Sequence, residues 1–141
     1  MTAKEYLSQT CRLDQQITSN IAEIARLREM VRGISSPSWE EKVQASRNAE
    51  APFVRCLEKI MDLEKIVDSE IDTLVDLNRQ IRTTVDTVAN INERLVLRYR
   101  YIHNMTWEQI GRELNVDEST IRRWHKAALS AVVLPADPIQ I

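Results

Sequence analysis

Apolar residues recur along most of this chain at the steps of an α-helix. From about Lys4 to Arg32 the apolar positions Tyr6, Leu13, Ile17, Ile24, Leu27 and Val31, with Ile34 just beyond, follow one another at helical spacings, and Ile17, Ile24 and Val31 are seven apart. Gly33 and Pro37 stop this pattern. Ser38, Trp39, Glu40 and Glu41 have the form of a capping box, so residues 38–50 are open to two readings, a short helix or a loop. Pro52 suits a first helical turn, and beyond it Ile60, Val67, Leu74, Ile81 and Val88 lie seven apart. Leu57, Ile71 and Val85 hold the companion position, and Leu63, Ile66 and Leu77 widen the stripe. Glu64 and Asn78 fall in the companion series. Asn78 can fix register there, unless the stripe rotates onto Leu77.

Asn90, with Glu93 three residues on, signals a new helix from Ile91 to Ile102, with Ile91, Leu95, Val96, Tyr99 and Ile102 inward. Thr106 and Gln109 form a further capping box, ahead of an apolar face of Trp107, Ile110 and Leu114. Asn115 stands where the chain must reverse, and Asn accepts the left-handed conformation well. Val116 plugs the turn. Asp117 or Ser119 caps the last helix, whose inner face is Ile121, Trp124 or His125, Ala128 and Val132. The expected fold is all-α: a long antiparallel, coiled-coil-like helical hairpin over 1–89, a tri-helical helix-turn-helix module over 90–132, and a tail over 133–141. At 1.5 Å per residue the two long helices span roughly 43 and 55 Å, so they can lie side by side. Two helices make a thin core, and the breadth of the second stripe points to a homodimer built from two hairpins.

Composition fits this picture. The 141 residues include two Gly and four Pro, with few aromatics, which favours long helices over a sheet. The formal net charge of -2 does not announce a nucleic-acid binder, but the average hides an asymmetry. Residues 90–131 carry seven Arg and Lys against five Asp and Glu, while residues 1–89 carry twelve against fifteen. Attraction to phosphate therefore depends on where individual Arg side chains sit. No apolar run approaches the roughly 20 residues of a membrane span, and the first residues lack a signal pattern, so a cytoplasmic chain is expected. Cys11 and Cys56 are expected as small, buried or half-buried apolar residues rather than as a disulfide.

The chemistry expected is recognition rather than catalysis. No set of nucleophile, base and orienting group assembles, and no His or Cys pair has metal-ligand spacing, so neither enzyme, metal nor cofactor is expected. His125 reads as a packed side chain and His103 as a solvated helix end. The helix over about 118–131 instead presents Ser119, Thr120, Arg122, Arg123 and Lys126 outward. Arg122 and Arg123 have the fork that reaches guanine O6 and N7 in a major groove, Ser119 and Thr120 can donate to phosphate or base edges, and Lys126 suits the backbone. Glu118 suits the positive end of the helix dipole. Double-stranded DNA is the expected partner.

These residues also carry a resemblance. Arg98-Tyr99-Arg100-Tyr101-Ile102, then Thr106-Trp107-Glu108-Gln109-Ile110, then Ile121 with His125-Lys126-Ala127-Ala128-Leu129 resemble region 4 of bacterial sigma factors. The version they resemble occurs in small phage and prophage proteins of Gram-positive bacteria, including the autolysin-regulator (ArpU-like) type and phage families of unknown function. The heptad-rich helix ahead of the module, with Met61-Asp62-Leu63-Glu64 and Ile71-Asp72-Thr73-Leu74, is similar too, and the likeness covers about residues 50–130. It implies a transcription regulator in the bacterial host cytoplasm, binding DNA through Arg122, Arg123 and Lys126, with RNA polymerase as a further contact. The competing expectation is a phage structural or DNA-packaging adaptor, or a protein-interaction scaffold, built on the same module. Four positions depart from the pattern. Gly111 stands where Ala is preferred, loosening its helix by about 1 kcal/mol; Asn115 replaces Gly; and Asp117 and Glu118 bring negative charge where several relatives carry Ser and Arg.

Overall fold

A computed structural model describes residues 1–34 and 50–141. Among the described residues the chain is all-α: five α-helices and one π-helical turn, without a strand. The helices are α1 (Ala3–Ile34), α2 (Glu50–Asp86), α3 (Ile91–Leu97), α4 (Trp107–Leu114) and α5 (Glu118–Ala131), and the π turn is Arg98–Ile102. The stretch that left helix and loop open, 38–50, lies outside the described residues but for Glu50, where α2 begins.

Local chemistry sets most helix starts. Thr2 and Glu5 exchange side-chain and backbone hydrogen bonds, a reciprocal cap on α1 that the sequence pattern Thr-x-x-Glu encodes. The Asn90 side chain accepts from the backbone N–H groups of Asn92 and Glu93, opening α3 where expected. The expected helix Ile91–Ile102 is not uniform, however. After Leu97 it widens into the π turn, closed by the His103 N–H donating to the Arg98 carbonyl at 3.1 Å. Ahead of the wider turn Val96 and Leu97 are buried while Ile91, expected inward, is 61% exposed; within it Tyr101 is buried and Ile102 half-buried.

The chain divides into two compact units. One comprises Met1–Asp14 with Thr73–Ile141, the other Gln15–Asp72. The first unit takes in the ends of both long helices together with the C-terminal residues. In this unit Tyr6, Leu7, Leu77, Ile81, Val85, Val96, Leu97, Ile110 and Ile121 are fully buried. The expected tail is also part of it: the main chain of Asp137, Ile139 and Ile141 bonds to Gln9 and Gln80.

In the other unit, side chains of α1 and α2 bond to one another. Asn20 donates to Glu70 at 2.6 Å, Arg28 pairs with Glu64, and the buried Cys56 thiol donates to the Leu27 carbonyl. Ile17, Ile24 and Leu27 are buried, as are Cys56, Ile60 and Val67. The companion positions fare differently. Leu57 and Ile71 are exposed, as is Ile66. The stripe has rotated further along α2, where Leu77 is fully buried and Asn78 half-buried. Cys11, expected inside, is exposed, and both cysteines are free.

Candidate nucleic-acid interface

The geometry of the C-terminal module follows from three local devices. The first is the start of α4, where the Thr106 side chain accepts from the Gln109 N–H and the Gln109 side chain accepts from the Thr106 N–H. The second is its end. Asn115 takes the left-handed conformation, φ 55 and ψ 42, and reverses the chain as expected. The third is Gly111, which was expected to loosen α4. A Cβ there would lie 2.9 Å from the Val116 carbonyl oxygen, so the missing side chain is what lets the turn close onto the helix. The Val116 N–H then donates to the Gly111 carbonyl at 3.0 Å.

Closing the turn brings Val116 onto the cluster of Val96, Ile110 and Ile121, with Tyr99, Met105, Trp107, Leu114 and Trp124 packed around it. α3 lies against α5, and α4 against α5. The inner face of α5 is Ile121, His125 and Ala128, with Trp124 and Val132 half-buried. His125 shares a 2.7 Å hydrogen bond with the Tyr101 hydroxyl and meets the Trp107 ring edge-on, centroids 4.6 Å apart. Burial, with Lys4 and Arg100 nearby, depresses its pKa to about 4, so the ring is neutral at pH 7. Burial likewise raises the Tyr101 pKa. Arg100 lies over the Trp107 ring, its guanidinium 4.4 Å from the ring centroid, and donates to the Met105 carbonyl. His103 is exposed at the end of the π turn.

The five expected contact residues share α5, but they differ in how free they are. Ser119, Arg122, Arg123 and Lys126 are exposed and Thr120 is half-buried. The hydroxyls of Ser119 and Thr120 both donate to the Asp117 carboxylate within the free chain. Asp117 precedes them by two and three residues, the reach at which a short carboxylate captures local hydroxyls. It occupies the cap position of α5 without a cap hydrogen bond to the backbone, and the two hydroxyls hold its carboxyl below the usual range. Arg122 pairs with Glu118 at 2.8 Å. Arg123 and Lys126 enter no ion pair among the described residues and leave α5 two cations unneutralised by neighbours.

Residues 10–132 match the model of a family described as a protein of unknown function (DUF722). The chain belongs to that family. No curated protein and no solved structure matches it significantly. The DUF722 span begins within α1 and closes at Val132, the residue that ends α5, so it takes in Thr106, Gly111, Asn115, His125 and the outer face of α5. Among the described residues no group of His, Cys, Asp and Glu could hold a metal ion, and no helix is long and apolar enough to cross a membrane.

Proposed function

We propose that this chain is a sequence-specific DNA-binding transcription regulator of phage or prophage type. In this reading residues 1–89 form a helical hairpin that dimerises, and residues 90–132 form a helix-turn-helix module like sigma region 4. The observation that carries it is the left-handed Asn115 joining a capped α4 to α5 over a shared apolar cluster, with α3 packed on α5. That arrangement fixes two helices at a set angle and leaves one face of the second open, as entry into a major groove requires. Arg123 and Lys126 are the contacts available without rearrangement. Arg122 must leave Glu118 before it reaches a base, and Ser119 and Thr120 must leave Asp117. RNA polymerase is a second partner within the same reading.

The test is a mobility-shift titration against fragments of the encoding genome at several salt concentrations. Arg122→Ala with Arg123→Ala is expected to weaken binding by roughly ten- to a hundredfold. Arg123→Ala alone is expected to cost more than Arg122→Ala alone, because Glu118 already holds Arg122. Unchanged affinity in the double variant would remove α5 as the DNA-reading surface.

A further inference from the structure

Two glutamines far apart in sequence do the same thing at successive points of the C-terminal segment. The Gln80 side-chain amide donates to the Asp137 carbonyl at 3.0 Å and accepts from the Ile139 N–H at 2.9 Å. The Gln9 amide donates to the Ile139 carbonyl at 2.8 Å and accepts from the Ile141 N–H at 3.0 Å. Each amide thus makes a two-point contact with main chain alone, and the two contacts are spaced two residues apart. Both glutamines are held in place from behind. The Tyr6 hydroxyl donates to Gln80 Oε1 at 2.7 Å, and Gln9 Nε2 also donates to the Tyr6 carbonyl. Tyr6 is fully buried, Gln9 is 7% exposed and Gln80 is half-buried.

We infer that Gln9 and Gln80, positioned by Tyr6, form a site that binds the main chain of an extended peptide, and that residues 137–141 are an occupant exchangeable for a free peptide of the same form. Recognition through N–H and C=O groups is tolerant of side chains, as it is wherever extended peptides are read by their backbone. Of the bound segment's side chains, Asp137, Gln140 and Ile141 are exposed, Pro138 and Ile139 are half-buried, and the Gln140 amide reaches the Met1 sulfur, so the main chain supplies every hydrogen bond to the two glutamines. The geometry still sets one rule. Positions 139 and 141 must supply an N–H, whereas 138 and 140 need not, and Pro138 occupies one of the positions where a missing N–H costs nothing. Pro135 and Pro138 also hold the residues before them extended, which lowers the entropy lost on docking.

The rule supplies the test in the full chain. Ile139→Pro removes a required N–H, while Ile139→Ala and Gln140→Pro leave both. The Ile141 amide is expected to exchange with solvent roughly tenfold faster in Ile139→Pro than in the native chain, and to remain protected in the other two. A fluorescein-labelled synthetic peptide of residues 133–141 is then expected to bind the Ile139→Pro chain, whose site is vacated, more tightly than the native chain, whose own segment competes. The same peptide N-methylated at positions 139 and 141 is expected not to bind. Equal exchange of the Ile141 amide in native and Ile139→Pro chains overturns the proposal. So does the absence of peptide binding to Ile139→Pro, or equal binding of the methylated and unmethylated peptides.

Discussion

His125 is packed between a phenol and an indole, and its proton affinity is set by that position. Above pH 6.5 the imidazole is neutral in the folded and unfolded chain alike. As pH falls from 6.5 towards 4, the unfolded chain binds a proton that the folded chain resists, so stability is lost across that window. The melting temperature is therefore expected to drop between pH 7 and pH 4.5 more steeply in the native chain than in His125→Gln, which has no imidazole to protonate. Parallel pH profiles from thermal scans of the two proteins would mean that burial does not control this group. The burial of His125 was legible from its place in the apolar spacing of α5. The engagement of Ser119 and Thr120 was not, because a hydroxyl at the start of a helix serves equally well as a partner contact or as a local donor to Asp117. Only the observed rotamers choose between them.

At the scale of elements, the turn between α4 and α5 shows how a helix-weakening residue can stabilise a junction. Helix propensity alone favours Ala over Gly by about 1 kcal/mol. Against it stands the contact of a Cβ with the Val116 carbonyl at 2.9 Å, which is backbone and held by its own hydrogen-bonded turn. Gly111→Ala is accordingly expected to destabilise the chain, by about 1–3 kcal/mol in denaturant titration; a gain in stability would show that the turn relaxes freely. The caps at Asn90 and Thr106 and the left-handed Asn115 were readable because each depends on neighbours within four residues. The π turn was not, since nothing in Arg98–Ile102 itself breaks helical periodicity. Tyr101 packs under α5 and its carbonyl accepts from Thr10 of α1, contacts between residues that lie far apart in the chain.

For the whole molecule, the heptad pattern of α2 overstates what one chain can cover. Ile60 and Val67 are buried, but Leu57 and Ile71, at the companion position, face outward with 38% and 42% of their surface exposed. A second chain that covered them would complete the stripe, which is the physical basis for the proposed dimer. Light scattering of the native chain is expected to give a dimer, and Leu57→Glu with Ile71→Glu a monomer of unchanged helicity. A monomeric native chain at high concentration would remove the dimer, and a ring of many subunits would favour the packaging adaptor over the regulator. The docking of residues 133–141 was invisible in the sequence for a related reason. Gln9 and Gln80 have no periodic partner, and a polar residue on a helix is ordinarily a solvated one.

Tyr101 belongs to three partnerships at once: its carbonyl takes the Thr10 hydroxyl of α1, its hydroxyl takes His125 of α5, and its backbone lies in the π turn. It works as a pivot pin. Through this one residue α5 is tied to the first turns of α1, so the orientation of Arg123 and Lys126 is set from the N-terminal end of the chain as well as from the turn beside them.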